Sequence, residues 1–417
     1  MKESLIHRIK EGISDLCYIW AKEMRSTVKD EGVLIFFILV PLLYPLLYSW
    51  AYTNEVVREV PVAIVDLSHS HKSREFIRLF NASPDVNATY HCSSLDEARA
   101  LVGKQVVHGV LYFPPDFDTQ LNRMEQSHVG VYCDMSLMLA YKAAFQAATM
   151  VSQQMGSNHL VKLSGKTTNR EEAIQTRPLN YEEVPIFNPA GGYGSAVLPA
   201  VLMLILQQTL VLGIGLAAGT AREDNRYKDL VPLQRQYHGT FRIVLGKSMC
   251  YLMIYILMGT WLSVIVPRIF HFPCLAHWQD LLGMMIPYTL ACIFFGISVS
   301  CIVRYRENVM LFMVFVSVPL LFLSGSSWPQ SNIPGFWQGI SWLFPSTFGV
   351  RAYVRINTMG GTLTDVLTEY RILWIQVAAY FILACLVYRH QIRQARFHAL
   401  ERLDFLMKRK AQRKKQA

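Results

Sequence analysis

The chain has 417 residues, 52% of them hydrophobic, and a formal net charge of +10. The apolar residues are gathered into charge-free runs at Val33 to Asn54, Val184 to Ala221, Ser248 to Pro267, Leu281 to Val303, Asn308 to Val350 and Ile372 to Tyr388. A helix needs roughly 17 to 25 apolar residues to cross about 30 Å of hydrocarbon, so these runs exclude a soluble globular protein and a secreted one whose only apolar run is a signal peptide.

Of the 40 Lys and Arg, 24 fall in residues 1–32, 220–247, 304–307 and 389–417, all bordering apolar runs. That asymmetry is the signature of loops retained on the inner side of a membrane, and it accounts for the basic excess without nucleic acid as a partner.

In chain order, residues 1–32 open with Leu5, Ile9, Ile13, Leu16, Trp20 and Met24 at spacings of three and four, interleaved with Lys and Arg. This predicts an amphipathic helix in the inner membrane interface, or one packed on a soluble partner. Residues 33–53 predict the first span, uncleaved and with the N-terminus inside. Pro41 and Pro45 interrupt its helix, and the freed carbonyls predict a span buried among others.

Residues 54–186 change character. Segments 60–66, 86–92, 107–114 and 128–134 alternate as strands, with helices predicted at 70–80, 94–104 and 115–123. The pattern predicts an α/β domain with a mostly parallel or mixed sheet, followed by a long helix over 137–163. Its 12 Lys and Arg in 133 residues fit translocation to the outer side. Cys92 and Cys133 fall there, where an oxidising compartment would permit a disulfide between them.

Residues 187–388 predict five further spans, near 194–219, 243–267, 281–303, 308–326 and 372–388. The fold class is therefore an α-helical polytopic membrane protein, with six transmembrane helices and an α/β extracytoplasmic domain between the first and second. Residues 327–350, rich in Pro, Gly and Ser, predict an outer re-entrant hairpin, with Trp328, Trp337 and Trp342 in an aromatic belt. Gly325, Trp328, Pro329, Pro334 and Pro345 are its gate candidates, and Pro319 and Gly325 its bending points. Residues 389–417 form a basic inner tail.

The spans carry almost no ionisable residues, Lys247 lying close enough to an end to snorkel. Transport through them would draw its energy from elsewhere. Ser164-Gly165-Lys166-Thr167 mimics the end of a P-loop, but Leu160 stands where that motif needs glycine. Surface histidines are the simplest reading of His69, His71 and His91, and neither a metal site nor a catalytic constellation emerges. Residues 220–242 predict an inner loop. There Arg222, Glu223, Asp224, Arg226, Lys228 and Asp229 crowd both charge signs into eight positions, suited to docking another protein or to simple solvation.

The layout resembles the permease subunits of type-2 ATP-binding-cassette (ABC) exporters, in the branch with a large extracytoplasmic domain. Phe187-Asn188-Pro189 with Pro199 is similar to the family's entry into the second span, and Arg222-Glu223 resembles its coupling loop. Leu323-Ser324-Gly325, Trp328-Pro329, Ile333-Pro334 and Phe344-Pro345-Ser346-Thr347 with Arg351 resemble its fifth span and outer hairpin. The coupling loop departs from the family pattern, with Tyr227-Lys228 in place of the usual Gly-Thr.

The resemblance implies an exporter subunit of the bacterial inner membrane with both termini cytoplasmic. It implies cytoplasmic ATPase subunits that bind the ATP and Mg, none being expected in this chain, and a second permease copy or paralogue. Membrane lipid is a partner, and the outer domain would gate the exit or dock a periplasmic adaptor. The loop at 222–232 and the interfacial helix, through Leu5, Ile9, Ile13, Leu16 and Trp20, would receive the ATPase's motion. Gln207, Gln208, Thr209, Ser317 and Ser324 are read either as lining a substrate path at a dimer interface or as bonding between helices. A path with few charges favours amphipathic, lipid-like or drug-like cargo. The alternative is a non-transporting receptor or scaffold that works through its outer domain.

Overall fold

A computed structural model describes residues 2–123, 125–165, 168–176, 184–189, 191–223, 239–302 and 306–416. It divides into two compact units, Met1–Thr53 with Gly192–Ala417, and Asn54–Gly191. The first opens with α1 (Lys2–Lys29) and α2 (Glu31–Ala51). Asp30 separates them because its carboxylate accepts the Gly32 and Val33 N–H groups at 3.1 and 3.3 Å, capping α2.

The second unit is built on β1 (Val60–Asp66), α3 (His71–Asn81), β2 (Val86–His91), α4 (Leu95–Gly103), β3 (Gly109–Phe113), α5 (Phe117–Asn122), β4 (Gly130–Cys133), α6 (Met138–Ser164) and α7 (Asn169–Thr176). The sheet order is β2-β1-β3-β4, with β1 parallel to both β2 and β3, and β4 antiparallel to β3. Strand alternation sorts β1 between two cores. Val62 and Ile64 meet Phe76 and Phe80 of α3 and the alanine face of α6 at Ala140, Ala144, Ala147 and Ala148. Ala63 and Val65 meet Ala98 of α4 and Val110. Cys92 and Cys133 are both free thiols. Cys92 follows one edge strand and Cys133 ends the other, three strand spacings or roughly 14 Å away, beyond the reach of a disulfide. Burial pushes both thiols up in pKa.

The first unit continues with α8 (Tyr193–Glu223), α9 (Thr240–Ile269), α10 (Trp278–Ile302), α11 (Arg306–Leu323), α12 (Gly335–Ser341), α13 (Pro345–Tyr353) and α14 (Leu367–Gln416). Among the described residues five helices are long and apolar enough to cross a membrane, namely α2, α8, α9, α10 and the Leu367–Gln394 part of α14; α11 is apolar but shorter. It stops at Leu323 because Gly325 takes a positive φ of 84°, which leads the chain out of the helix.

Burial ranks these helices. Within the apolar windows 78% of α8 and 72% of α10 are buried, against 28% of α2. The expectation that α2 is enclosed by neighbours is therefore corrected. Only the stripe Val33, Phe37, Pro41, Pro45 and Ser49 is covered, and a π-helical turn at Ile35–Leu39 absorbs the irregularity ahead of the prolines. The stripe seats tightly on α8, where a Cβ at Gly213 would fall 2.2 Å from the Phe37 ring. Tyr52 and Tyr193, the residues that bracket the second unit, meet in a tilted ring contact with centroids 5.7 Å apart.

Candidate functional site

Residues 224–238 connect α8 to α9, and charged residues of α9 converge on α1. Asp15, Ile19 and Glu23 stand one turn apart along a single face of α1. Opposite them, in the same direction, run Arg242, Gly246, Lys247 and Tyr251 of α9. The Arg242 Nη1 donates to Asp15 Oδ2 at 2.6 Å. Lys247 Nζ lies 2.9 Å from Glu23 Oε2, and the Tyr251 hydroxyl donates to the other Glu23 oxygen. Gly246 permits the approach, since a Cβ there would meet Ile19 at 2.7 Å.

The ion pairs are largely removed from solvent. Asp15 is 7% exposed, and Lys247 and Glu23 are 13% and 12% exposed. Lys247 therefore does not snorkel toward the water. It turns inward onto Glu23 and lies 5.9 Å over the Tyr388 ring of α14. Asp30 supplies the second tie: beyond capping α2, its Oδ2 accepts the Thr220 hydroxyl of α8 at 2.8 Å. Both helices that flank the loop are thus fastened to the same amino-terminal segment, one through Asp30 and the other through Asp15 and Glu23.

Of the predicted interfacial residues, Ile9 and Ile13 are more than half exposed, whereas Leu16 and Trp20 are partly covered. The packed face of α1 is its carboxylate face, and the apolar stripe is left partly open. Leu5 lies where no side chain is described. Arg222 is half-buried at the end of α8 and Glu223 closes that helix. Asp224, Arg226, Lys228 and Asp229 lie outside the described residues.

Deeper in the bundle, Gln207 and Thr209 are buried inside a single copy of the chain. Gln207 Oε1 accepts the Ser346 N–H at 2.6 Å, and Thr209 Oγ1 accepts the Tyr255 hydroxyl at 3.0 Å. Gln207 Oε1 and Thr209 Oγ1 thus join helices in an apolar surround. Gln208 and Ser317 are partly exposed, whereas Ser324 is buried and bonds Leu321 O and Ser326.

The hairpin region forms two short helices, α12 and α13, around the turn 342–344. Side chains of α14 hold that turn. The Gln376 amide donates to Trp342 O at 2.8 Å, and the Tyr380 hydroxyl donates to Leu343 O. Pro345 is buried at the start of α13, whereas Trp328, Pro329 and Pro334 are exposed. Arg351 of α13 reaches back to donate to Ser324 O at 3.2 Å, beside the sharp turn at Gly325.

An apolar bundle in which, among the described residues, five helices are long enough to cross a bilayer defines a multi-pass membrane protein. The profile of the ABC-2 family transporter proteins matches residues 32–386, and the chain belongs to that family. It is similar to the probable multidrug ABC transporter permease YbhR of Escherichia coli K12, 22% identical over 330 residues covering 78% of this chain and 84% of that protein. The counterpart in Escherichia coli O157:H7 matches to the same extent. As an ABC permease the chain is the transmembrane subunit of a transporter, and ATP hydrolysis belongs to a separate ATPase.

Asp15, Glu23, Asp30 and Thr220 escaped the reading of the sequence. The signal that could have found them is the eight-residue interval between Asp15 and Glu23. It puts two carboxylates two turns apart on one face of the helix, a spacing that two cations on a facing helix can match.

Proposed function

We propose that this chain is the permease of an ATP-driven exporter that moves an amphipathic or drug-like substrate out of the cytoplasm or the inner leaflet. In this reading α11 is the sixth span, both termini are cytoplasmic, the membrane is the bacterial inner membrane, and the Asn54–Gly191 unit stands on the outer side. Two copies, or one copy and a paralogue, pair with cytoplasmic ATPase subunits that hold ATP and Mg. A periplasmic adaptor engages the outer unit, and lipid surrounds the bundle.

The observation that carries the reading is the shared fastening of α1, α8 and α9. A push delivered to α1 or to the 222–232 loop is passed to α8, the most buried span, through Asp30–Thr220 and to α9 through Arg242 and Lys247. Such a push changes transport only if the bundle has two arrangements that the ATPase contacts differently. The name of the Escherichia coli relative supports drug-like cargo.

The test is substrate-stimulated ATP hydrolysis by the permease co-purified with its ATPase in nanodiscs, together with export into inside-out vesicles. Arg242→Glu is expected to leave basal hydrolysis intact while abolishing stimulation and export. The exchanged pair Asp15→Arg with Arg242→Asp should recover both. Full coupling in Arg242→Glu would overturn the reading.

A further inference from the structure

In the Asn54–Gly191 unit, β1 and its edge neighbour β2 run parallel and deliver their carboxyl ends to one rim. A crevice of about 430 Å³ opens there between α3 and the β2 edge. Its floor is apolar, formed by Ile64, Ile77 and Ala88. Its wall is cationic. Arg74 and Arg78 stand one turn apart on α3, with the imidazoles of His69 and His91 at the rim.

Among the described residues, neither guanidinium has a carboxylate within ion-pair distance. Arg74 makes one long contact, 3.4 Å to the His69 carbonyl. The nearest acids are already engaged. Glu75 pairs with Lys72 at 2.9 Å. Asp66 accepts the Ser68 and His69 N–H groups at 3.0 Å and the Ser73 hydroxyl at 2.7 Å. Burial pushes the Cys92 thiol up, so it adds no negative charge to the crevice. Among the described residues no three His, Cys, Asp or Glu side chains converge to hold a metal. What remains is a pair of guanidiniums without an ion-pair partner among the described residues over an oily floor, with the hydrogen-bonded Asp66 carboxylate also on the lining.

We propose that this crevice binds a small amphipathic anion, its carboxylate or phosphate held by Arg74 and Arg78 and its apolar part laid on Ile64, Ile77 and Ala88. Two guanidiniums one helical turn apart suit either oxyanion, since each presents paired N–H donors to two oxygens. The site stands independently of the transport reading.

The experiment is calorimetric titration of the full-length protein in zwitterionic nanodiscs with hexyl phosphate, hexanoate and hexyltrimethylammonium. At least one anion is expected to bind saturably at one site per chain, and the cation is not. Preference for hexyl phosphate would mark a phosphate-bearing ligand, and preference for hexanoate a carboxylate. Arg74→Gln and Arg78→Gln should each weaken binding about tenfold or more, the loss of a charge-assisted contact. Both side chains are exposed, so the variants should keep wild-type amide protection across the sheet, and that measurement separates lost binding from lost fold. Equal binding of the cation, no saturable binding of either anion, or unchanged affinity in both arginine variants would overturn the proposal.

Discussion

Removing Lys247 and Glu23 together should cost clearly less than the sum of removing each alone. Breaking a buried ion pair from one side typically costs about 3 to 5 kcal/mol, because the remaining charge stays in a poorly solvated place. This pair is 12 to 13% exposed, and Glu23 retains the Tyr251 hydroxyl when Lys247 is lost. We therefore expect about 2 to 3 kcal/mol for Lys247→Met. Glu23→Gln leaves the ammonium facing a neutral amide, and we expect about 3 kcal/mol. In the double variant an amide faces an apolar chain, and its cost should fall short of the sum by at least about 1.5 kcal/mol. The assay is denaturant unfolding of the full chain in mixed micelles, run as a double-mutant cycle. Single effects that add within about 0.5 kcal/mol would show that the two groups do not act as a pair.

Gly213→Leu should detach α2 from α8, because even a Cβ there lies 2.2 Å from the Phe37 ring; a melting temperature equal to wild type would contradict the packing. Asp30→Ala removes both the α2 cap and the Thr220 bond, and should destabilise by about 1 to 2 kcal/mol in the same unfolding assay, with hydrogen exchange rising at residues 31–34. Glu223→Gln with Arg226→Gln should uncouple hydrolysis from export; unchanged coupling removes the loop from the mechanism. Glu97 has its carboxyl held below the usual carboxylate range by the N–H and hydroxyl of Ser93 and the N–H of Glu97's own turn at Ser94. A depressed native pKa means that its contribution is present above the unfolded value and is lost as pH falls through the native one. Protection of α4, corrected for intrinsic exchange, should therefore hold at neutral pH and decline below about pH 4.

Much of this architecture is legible in residue order. The four strands and the helices α3 to α6 of the Asn54–Gly191 unit lie within a few residues of where the sequence places them, because β1 and β3 are dense in β-branched and aromatic residues and Ser70 and Ser94 announce helix starts, whereas α7 carries no comparable apolar pattern. The apolar runs likewise place the long helices. Rank within the bundle was not legible, since α2 and α8 are comparably apolar, and only the glycines of α8 reveal which helix neighbours can approach closely. Strand order was equally hidden, which is why Cys92 and Cys133 looked compatible and are not. The seam on α1 was missed for a related reason. Charged residues on an amphipathic helix read as solvated until a second helix, more than 200 positions away in sequence, supplies their partners.

The ring contact between Tyr52 and Tyr193 has a further meaning. A Cβ at Gly194 would sit 3.0 Å from the Tyr52 carbonyl, so the last turn of one helix and the first turn of the next are held side by side at the two junctions of the 54–191 segment. Whatever is spliced between those junctions begins and ends at nearly one place, and the bundle registers only a short bridge. Inserted sequence can therefore be exchanged, lengthened or lost over generations without reshaping the machine beneath it, and a grafted replacement joined at Tyr52 and Tyr193 should leave the helices as they are.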